Sequence, residues 1–322
     1  MKTGTRLTVY GLGLVVAFGG AFGISQAVIP SSVVSDWAKG TESNGHGNGH
    51  DPAAAPANAK PADTAADSLK GLSLGQGGYV ISPVKAPAQA KQQGQLSFTI
   101  RDATGAPVTH FKTAHEKDLH LIVTRSDGSQ FRHVHPVLDK ESGTWTTPWE
   151  WDAAGSYRVF ADFTPAAENA QGLTLTRTVQ VAGEFTPVAP QPSRVAQVDG
   201  FTVTLDGDLA AGTSSKLKLN VARDGKPVTT LEPYLGAFGH LVALREGDLA
   251  YLHVHAEGEE PQPGQTSGPE IAFAAEAPTA GRYLLYLDFQ VDGKVRTAEF
   301  VVDAAPTAEN QAPDDAAHQG GH

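Results

Sequence analysis

The 322-residue chain contains no cysteine, and its single methionine is Met1. Neither a disulfide framework nor a thiolate or thioether metal site is available, so any metal must be held through nitrogen and oxygen. Positive charge is also scarce, with 24 Lys and Arg against 35 Asp and Glu and a formal charge of −11. No Lys/Arg cluster stands outside the extreme N-terminus, so the phosphate neutralisation that drives nucleic-acid binding is lacking. No nucleic-acid partner is expected. The chain also lacks a Ser-His-Asp arrangement, a phosphate-binding glycine loop and carboxylates at catalytic spacing. It is therefore not expected to be an enzyme. What it has in quantity is Gly, Pro and Ala, together with 12 histidines.

Lys2 and Arg6 precede an uncharged run from Leu7 to Ser35 that is mostly apolar as far as Ile29. About 20 apolar residues suffice to cross a bilayer as a helix, and a basic flank stays cytoplasmic. Residues 1–35 are thus expected to be a single-pass signal-anchor in the cell membrane, with the remainder extracytoplasmic. Cleavage near Ser25-Gln26-Ala27, giving a secreted protein, is the alternative. Residues 36–70, rich in Ala, Pro, Gly, Asn, Asp and His, read as a disordered tether, and 304–322 as a similar tail.

Between these segments the chain repeats itself. "GAPVTHFKTAHEKDLHLIVTRSDGSQFRHVHP", from Gly105, aligns without a gap on "GKPVTTLEPYLGAFGHLVALREGDLAYLHVHA", from Gly225, at an offset of 120. "AGSYRVFADF" (from Ala154) then matches "AGRYLLYLDF" (from Ala280) at an offset of 126, so six extra residues sit in the second copy's Gly/Pro/Glu-rich loop. Two copies of one domain are expected, at 71–183 and 195–303, joined by a Pro-rich linker at 184–194.

Each copy reads as all-β. Alternating runs such as "QLSFTIRD" and "KLKLNVARD" are separated by Gly, Asp, Asn and Pro turn signals. Short strands over about 110 residues suggest an immunoglobulin-like β-sandwich. The A-G-x-Y turns place Tyr157 and Tyr283 as tyrosine corners, with Val159, Ala161, Phe163 and Leu285, Leu287, Phe289 facing the core. Trp145, Trp149 and Trp151 are expected to pack in the core or at its edge.

Eight histidines lie in the repeated segments and four in the tails (His46, His50, His318, His322). If Asp127-Gly128 is a two-residue type I′ turn, paired residues sum to 255 and His120 lies opposite His135, with His133 on the same face. In the second copy, a Gly247-Asp248 turn would place His240 opposite His255, with His253 beside them. Three converging imidazoles suit Zn(II), Cu(II) or Ni(II). The Irving–Williams order favours Cu(II), while availability outside the cell could make Zn(II) the occupant. His115 is a candidate fourth ligand in the first copy, where the second has Leu235. Asp162 and Asp288 are the other candidates, as ligands or as acceptors that orient an imidazole.

The run "HEKDLHLIVTRSDGSQFRHVHP", with its second version "YLGAFGHLVALREGDLAYLHVH", resembles a motif of bacterial extracytoplasmic β-sandwich proteins, some grouped as YtkA-like. That resemblance covers roughly Tyr79 to Asp303 and implies copper or heavy-metal handling, with His115, Glu116, His120, His133, His135 and Pro136, then His240, His253 and His255, at the matching positions. Ala256 stands where the first copy has Pro136, and is expected to loosen the strand end. A cupin-like metalloenzyme is a rival, since Gly247, His253, His255 and Glu259 fit the opening of a cupin motif. A cupin needs a further histidine from a later strand, however, and none follows His255 before His318. A sandwich serving adhesion, with structural or pH-sensing histidines, is the other alternative.

Overall fold

The computed structural model describes residues 69–262 and 264–306, without the side chain of His253. The expected signal-anchor, nearly all of the tether and most of the tail lie outside these residues. Among the described residues every regular element is a strand, and no helix is long and apolar enough to cross a membrane.

The first copy contains β1 (Gly75–Gln76), β2 (Tyr79–Ile81), β3 (Gly94–Arg101), β4 (Phe111–Lys112), β5 (Leu119–Arg125), β6 (Arg132–Val134), β7 (Val137–Asp139), β8 (Thr144–Trp149), β9 (Gly155–Pro165) and β10 (Leu173–Val181). They form two sheets, ordered β1-β2-β3-β8-β7 and β10-β9-β5-β6, with β4 added to β9. The second copy follows with β11 (Val195–Val198), β12 (Phe201–Asp206), β13 (Leu209–Ala210), β14 (Ser214–Arg223), β15 (Lys226–Pro227), β16 (His240–Arg245), β17 (His253–Ala256), β18 (Glu270–Glu276), β19 (Gly281–Val291) and β20 (Lys294–Ala305). Its sheets are ordered β11-β12-β14-β18-β17 and β13-β20-β19-β16, with β15 added to β14. The chain is an all-β tandem repeat of β-sandwiches.

Alternation decides what each strand buries. Leu96, Phe98 and Ile100 of β3 meet Leu121 and Val123 of β5 in the first core, with Tyr157, Val159, Ala161 and Phe163 of β9. Trp145, Trp149 and Trp151 are buried in that core. Tyr283, Leu285, Leu287 and Phe289 occupy the same places in the second. Both tyrosine corners close: the Tyr157 hydroxyl donates to the Ala153 carbonyl at 2.8 Å, and that of Tyr283 to Thr279 at 2.7 Å.

A third apolar cluster lies between the copies, which belong to one compact unit. It is built from the outward positions of the same strands: Ile122 and Phe160 from the first copy, with Val242, Leu244, Leu284 and Tyr286 from the second. All seven residues of β5 are consequently buried. The packing is pseudo-symmetric. Phe131 stacks on Tyr286 with ring centroids 3.9 Å apart and planes 5° from parallel. Tyr251, the repeat counterpart of Phe131, meets Phe160, the counterpart of Tyr286, at 6.1 Å. Each copy thus presents the same patch to the other, as in an isologous dimer. Lys70 and Gly71 join this contact: Tyr251 N–H donates to the Lys70 carbonyl, and Gly71 N–H to that of Thr174.

The Asp-Gly turn also serves the interface. The Tyr286 hydroxyl donates to the Gly128 carbonyl at 2.5 Å. Gly128 sits at φ +82°, and a Cβ there would meet Leu284 at 2.4 Å, so a side chain is excluded by both backbone and packing. Arg125 holds Asp127 through a buried pair at 2.9 Å.

Replacing Phe131 by alanine is expected to cost about 3 kcal/mol, the usual range for deleting a buried aromatic ring. Urea denaturation measures it, and a change below about 0.5 kcal/mol, typical of surface positions, would contradict the stacked interface.

Candidate metal centre

The register that aims the first three histidines is the one expected, although the turn is not type I′. Gly128 N–H bonds the Arg125 carbonyl, and Arg125 N–H bonds that of Ser129. This is a three-residue loop with a glycine bulge, which pairs Arg125 with Ser129. Gln130, at φ +57°, then adds one unpaired residue. That addition shifts the pairing to Val123–Arg132, Ile122–His133 and Leu121–Val134. Without it, the one-residue slip would turn His133 into the first core. Pro136 has no N–H to continue the ladder, and the chain crosses to β7, which pairs with β8 in the other sheet.

His120, His133 and His135 converge as a result. His120 Nδ1 lies 3.1 Å from His133 Nε2 and 3.2 Å from His135 Nε2. The far nitrogens have partners that can only accept. His120 Nε2–H donates to the Ala114 carbonyl at 3.0 Å, and His133 Nδ1–H to Asp288 Oδ2 at 2.8 Å. In the neutral rings this leaves lone pairs on His120 Nδ1 and His133 Nε2, facing one another. Two lone pairs at that distance repel unless a proton or a metal ion lies between them. The edge of a tetrahedron around a metal with bonds of 2.0–2.1 Å is about 3.3 Å, close to both separations.

Asp288 comes from the other copy, 155 residues along the chain from His133. The His133 side chain is 0% exposed and that of Asp288 3%. Thr297, opposite Asp288 in the β19–β20 ladder, donates to Oδ1 at 2.6 Å and leaves Oδ2 for His133. Asp162 is the repeat counterpart. As expected it pairs with His120 across β5–β9, just as Asp288 pairs with His240 across β16–β19. Thr174 donates to Asp162 at 2.9 Å, and burial raises the Asp162 pKa.

The second hairpin departs from the expected pairing. Its loop spans Glu246 to Leu249, closed by Arg245 and Ala250, and the expected register extends only through Leu244–Tyr251 and Ala243–Leu252. From His253 the strand pairs with β18, placing His255 opposite Ala274 rather than His240. Ala256 keeps the N–H that Pro136 lacks and pairs with Phe273, so the strand end is held rather than loosened. The His253 side chain lies outside the described parts. His255 is exposed and lines a cleft of about 160 Å³ with His115, His120, Asp162 and His240.

His240 instead joins the first copy's cluster. Its ring stacks on His120 at 5.6 Å and 4°, and lies 4.7 Å from the His133 ring. Among the described residues, two sets of donors could each hold a metal: His120, His133, His135, and His133, His240, Asp288. His115, exposed at φ +47°, lies 6.0 Å ring to ring from His120 and 5.9 Å from His240, and belongs to neither set. The Ala114 carbonyl, Thr297 and the meeting of His133 with Asp288 carry no sequence signal of their own. The readable hint was indirect: Phe160, Leu284 and Tyr286 are apolar on the strand face opposite the core, which marks that face as covered.

A model of a domain of unknown function, DUF8832, matches residues 76–183 and again 196–306. The chain belongs to the DUF8832 family. No curated protein matches it. Solved structures that match the chain include Salmonella alpha-2-macroglobulin reacted with methylamine, at 16% identity and TM-score 0.25, covering 74% of this chain and 15% of that one. The Yersinia pseudotuberculosis adhesin InvE gives 13% and 0.20, covering 69% and 57%. A putative membrane anchored protein from Corynebacterium diphtheriae gives 10% and 0.22, covering 71% and 59%. The chain therefore spans less than two thirds of each of these proteins.

Burial, and then the neighbouring imidazoles, depress the pKa of His120 to about 4 and of His135 to about 3, and push His240 well below its ordinary value. All three are neutral near pH 7, as metal ligation requires. For the metal-free chain this has a cost in acid. Unfolding restores a pKa near 6.5, so the unfolded state binds more protons below that point. Stability from these groups is complete above about pH 6.5 and is lost as pH falls toward 4 and then 3. The urea midpoint of metal-free protein should fall between pH 6.5 and 4, and less steeply in a His120→Gln/His135→Gln variant. An equally steep fall in that variant would contradict the assignment.

Proposed function

We propose that this protein binds or buffers a divalent transition metal outside the cytoplasm, tethered to the membrane by its N-terminal segment. The metal is held by His120, His133 and His135, and the observation that carries the reading is their two opposed lone pairs fixed by Ala114 and Asp288. With nitrogen donors and no sulfur, Cu(II) is favoured on affinity and Zn(II) on availability. Three protein ligands leave a position open for water or for a donor from a delivery partner. Asp288 holds the His133 ring and its tautomer, the usual work of a carboxylate behind a metal-bound imidazole. The resemblance of the hairpins to the YtkA-like motif supports the same role, one of holding and release rather than turnover. His240, His253 and His255 are proposed as further metal-contacting residues from the second copy, with His115 and Asp162 lining a cleft together with His240 and His255.

Full-length protein dialysed against Cu(II) or Zn(II) and then desalted is expected to retain at least one ion more than a His120→Ala/His135→Ala variant. Equal retention would sink the reading. Asp288→Asn keeps the shape but weakens the acceptor, and is expected to lower affinity 10- to 100-fold in competition with a chelator. Unchanged affinity would mean that Asp288 does not support the site. An adhesion sandwich, by contrast, would bind its partner equally well after chelation.

A further inference from the structure

We infer that the protein holds a second cation beside the first, with His133 bridging the two across the interface between the copies. This rests on the metal reading above and extends it to a site that neither hairpin forms alone. His133 is the residue shared by the two donor sets found among the described residues. It faces them with different atoms: Nε2 lies 3.1 Å from His120 Nδ1, and Nδ1 lies 2.8 Å from Asp288 Oδ2. The two nitrogens of an imidazole point away from one another, so one ring can serve two ions, one through each.

His240 supplies an independent observation. Its Nδ1 is buried and has no hydrogen-bond partner. Buried polar atoms are nearly always satisfied, and an orphan calls for a ligand or ion. Asp288 brings the negative charge that a second divalent ion needs, with Oδ1 held by Thr297 and Oδ2 directed at His133. The second position then has three protein donors: His133 Nδ1, Asp288 Oδ2 and His240. As that ion enters, the Nδ1 proton of His133 leaves to solvent and the ring becomes a bridging imidazolate. Asp288 Oδ2 changes from proton acceptor to ligand. Both copies are required, because His133 comes from the first and Asp288 and His240 from the second.

The test uses the full-length chain with His46, His50, His318 and His322 changed to alanine, so that those segments add no imidazoles. It is loaded with Cu(II), desalted, and examined by metal analysis and electron paramagnetic resonance. Two retained ions are expected, with an integrated signal well below two spins, because copper ions joined by an imidazolate couple magnetically. His240→Ala should retain one ion with a full single-spin signal. One ion in the parent protein overturns this inference and leaves the first site standing, whereas none overturns both. Two ions with two full spins overturn the bridge. The parent measurement decides these outcomes even if His240→Ala fails to fold.

Discussion

The face-to-face packing of the two copies is the constraint on which the rest depends. It covers the outward side of β5, β9, β16 and β19, so strands that would alternate between core and solvent are buried on both faces. Stacking of Phe131 on Tyr286 adds an aromatic contribution of about 0.5–1.5 kcal/mol beyond area burial. The same contact removes water from His133 and sets Asp288 against it. A single copy would have the three histidines of the hairpin but not the carboxylate behind them. The duplication therefore supplies the carboxylate that holds His133.

Pseudo-symmetry explains why the site is nevertheless lopsided. His120 and His240 are repeat counterparts and stack on one another where the copies meet. Asp162 and Asp288 are counterparts too, and each receives a threonine hydroxyl from the neighbouring strand. The hairpins break the equivalence. In the first copy Gln130 sets the register that keeps His133 off the first core and on the face toward the second copy, and the ladder ends at Pro136. In the second, a four-residue loop and Ala256 carry His255 to the other sheet. A pair of similar half-sites has become one cluster crowded toward the first copy.

Much of this was legible in the sequence. The repeat, the all-β class, both tyrosine corners and the face shared by His120, His133 and His135 follow from spacing and alternation, which are local properties. The turn type at Asp127-Gly128 was not, because two compensating irregularities, a glycine bulge and the extra Gln130, give the same final register as the simpler turn. The β17 pairing was hidden for a related reason: the expected register holds for its first residues, and the switch to β18 is a tertiary choice that no local pattern records. The pairing of Asp288 with His133 across 155 residues depends on how the copies dock. The doubly apolar strand "RYLLYLDF", with Phe160 at the corresponding place in the first copy, is the hint that docking occurs.

The most direct measurement is an anomalous-difference map from crystals of the Cu(II)- or Zn(II)-loaded protein, collected at the metal's absorption edge. A strong peak bounded by His120 Nδ1, His133 Nε2 and His135 Nε2 is the result predicted. Peaks confined to exposed histidines such as His110 or His255, with none among those three nitrogens, would contradict it.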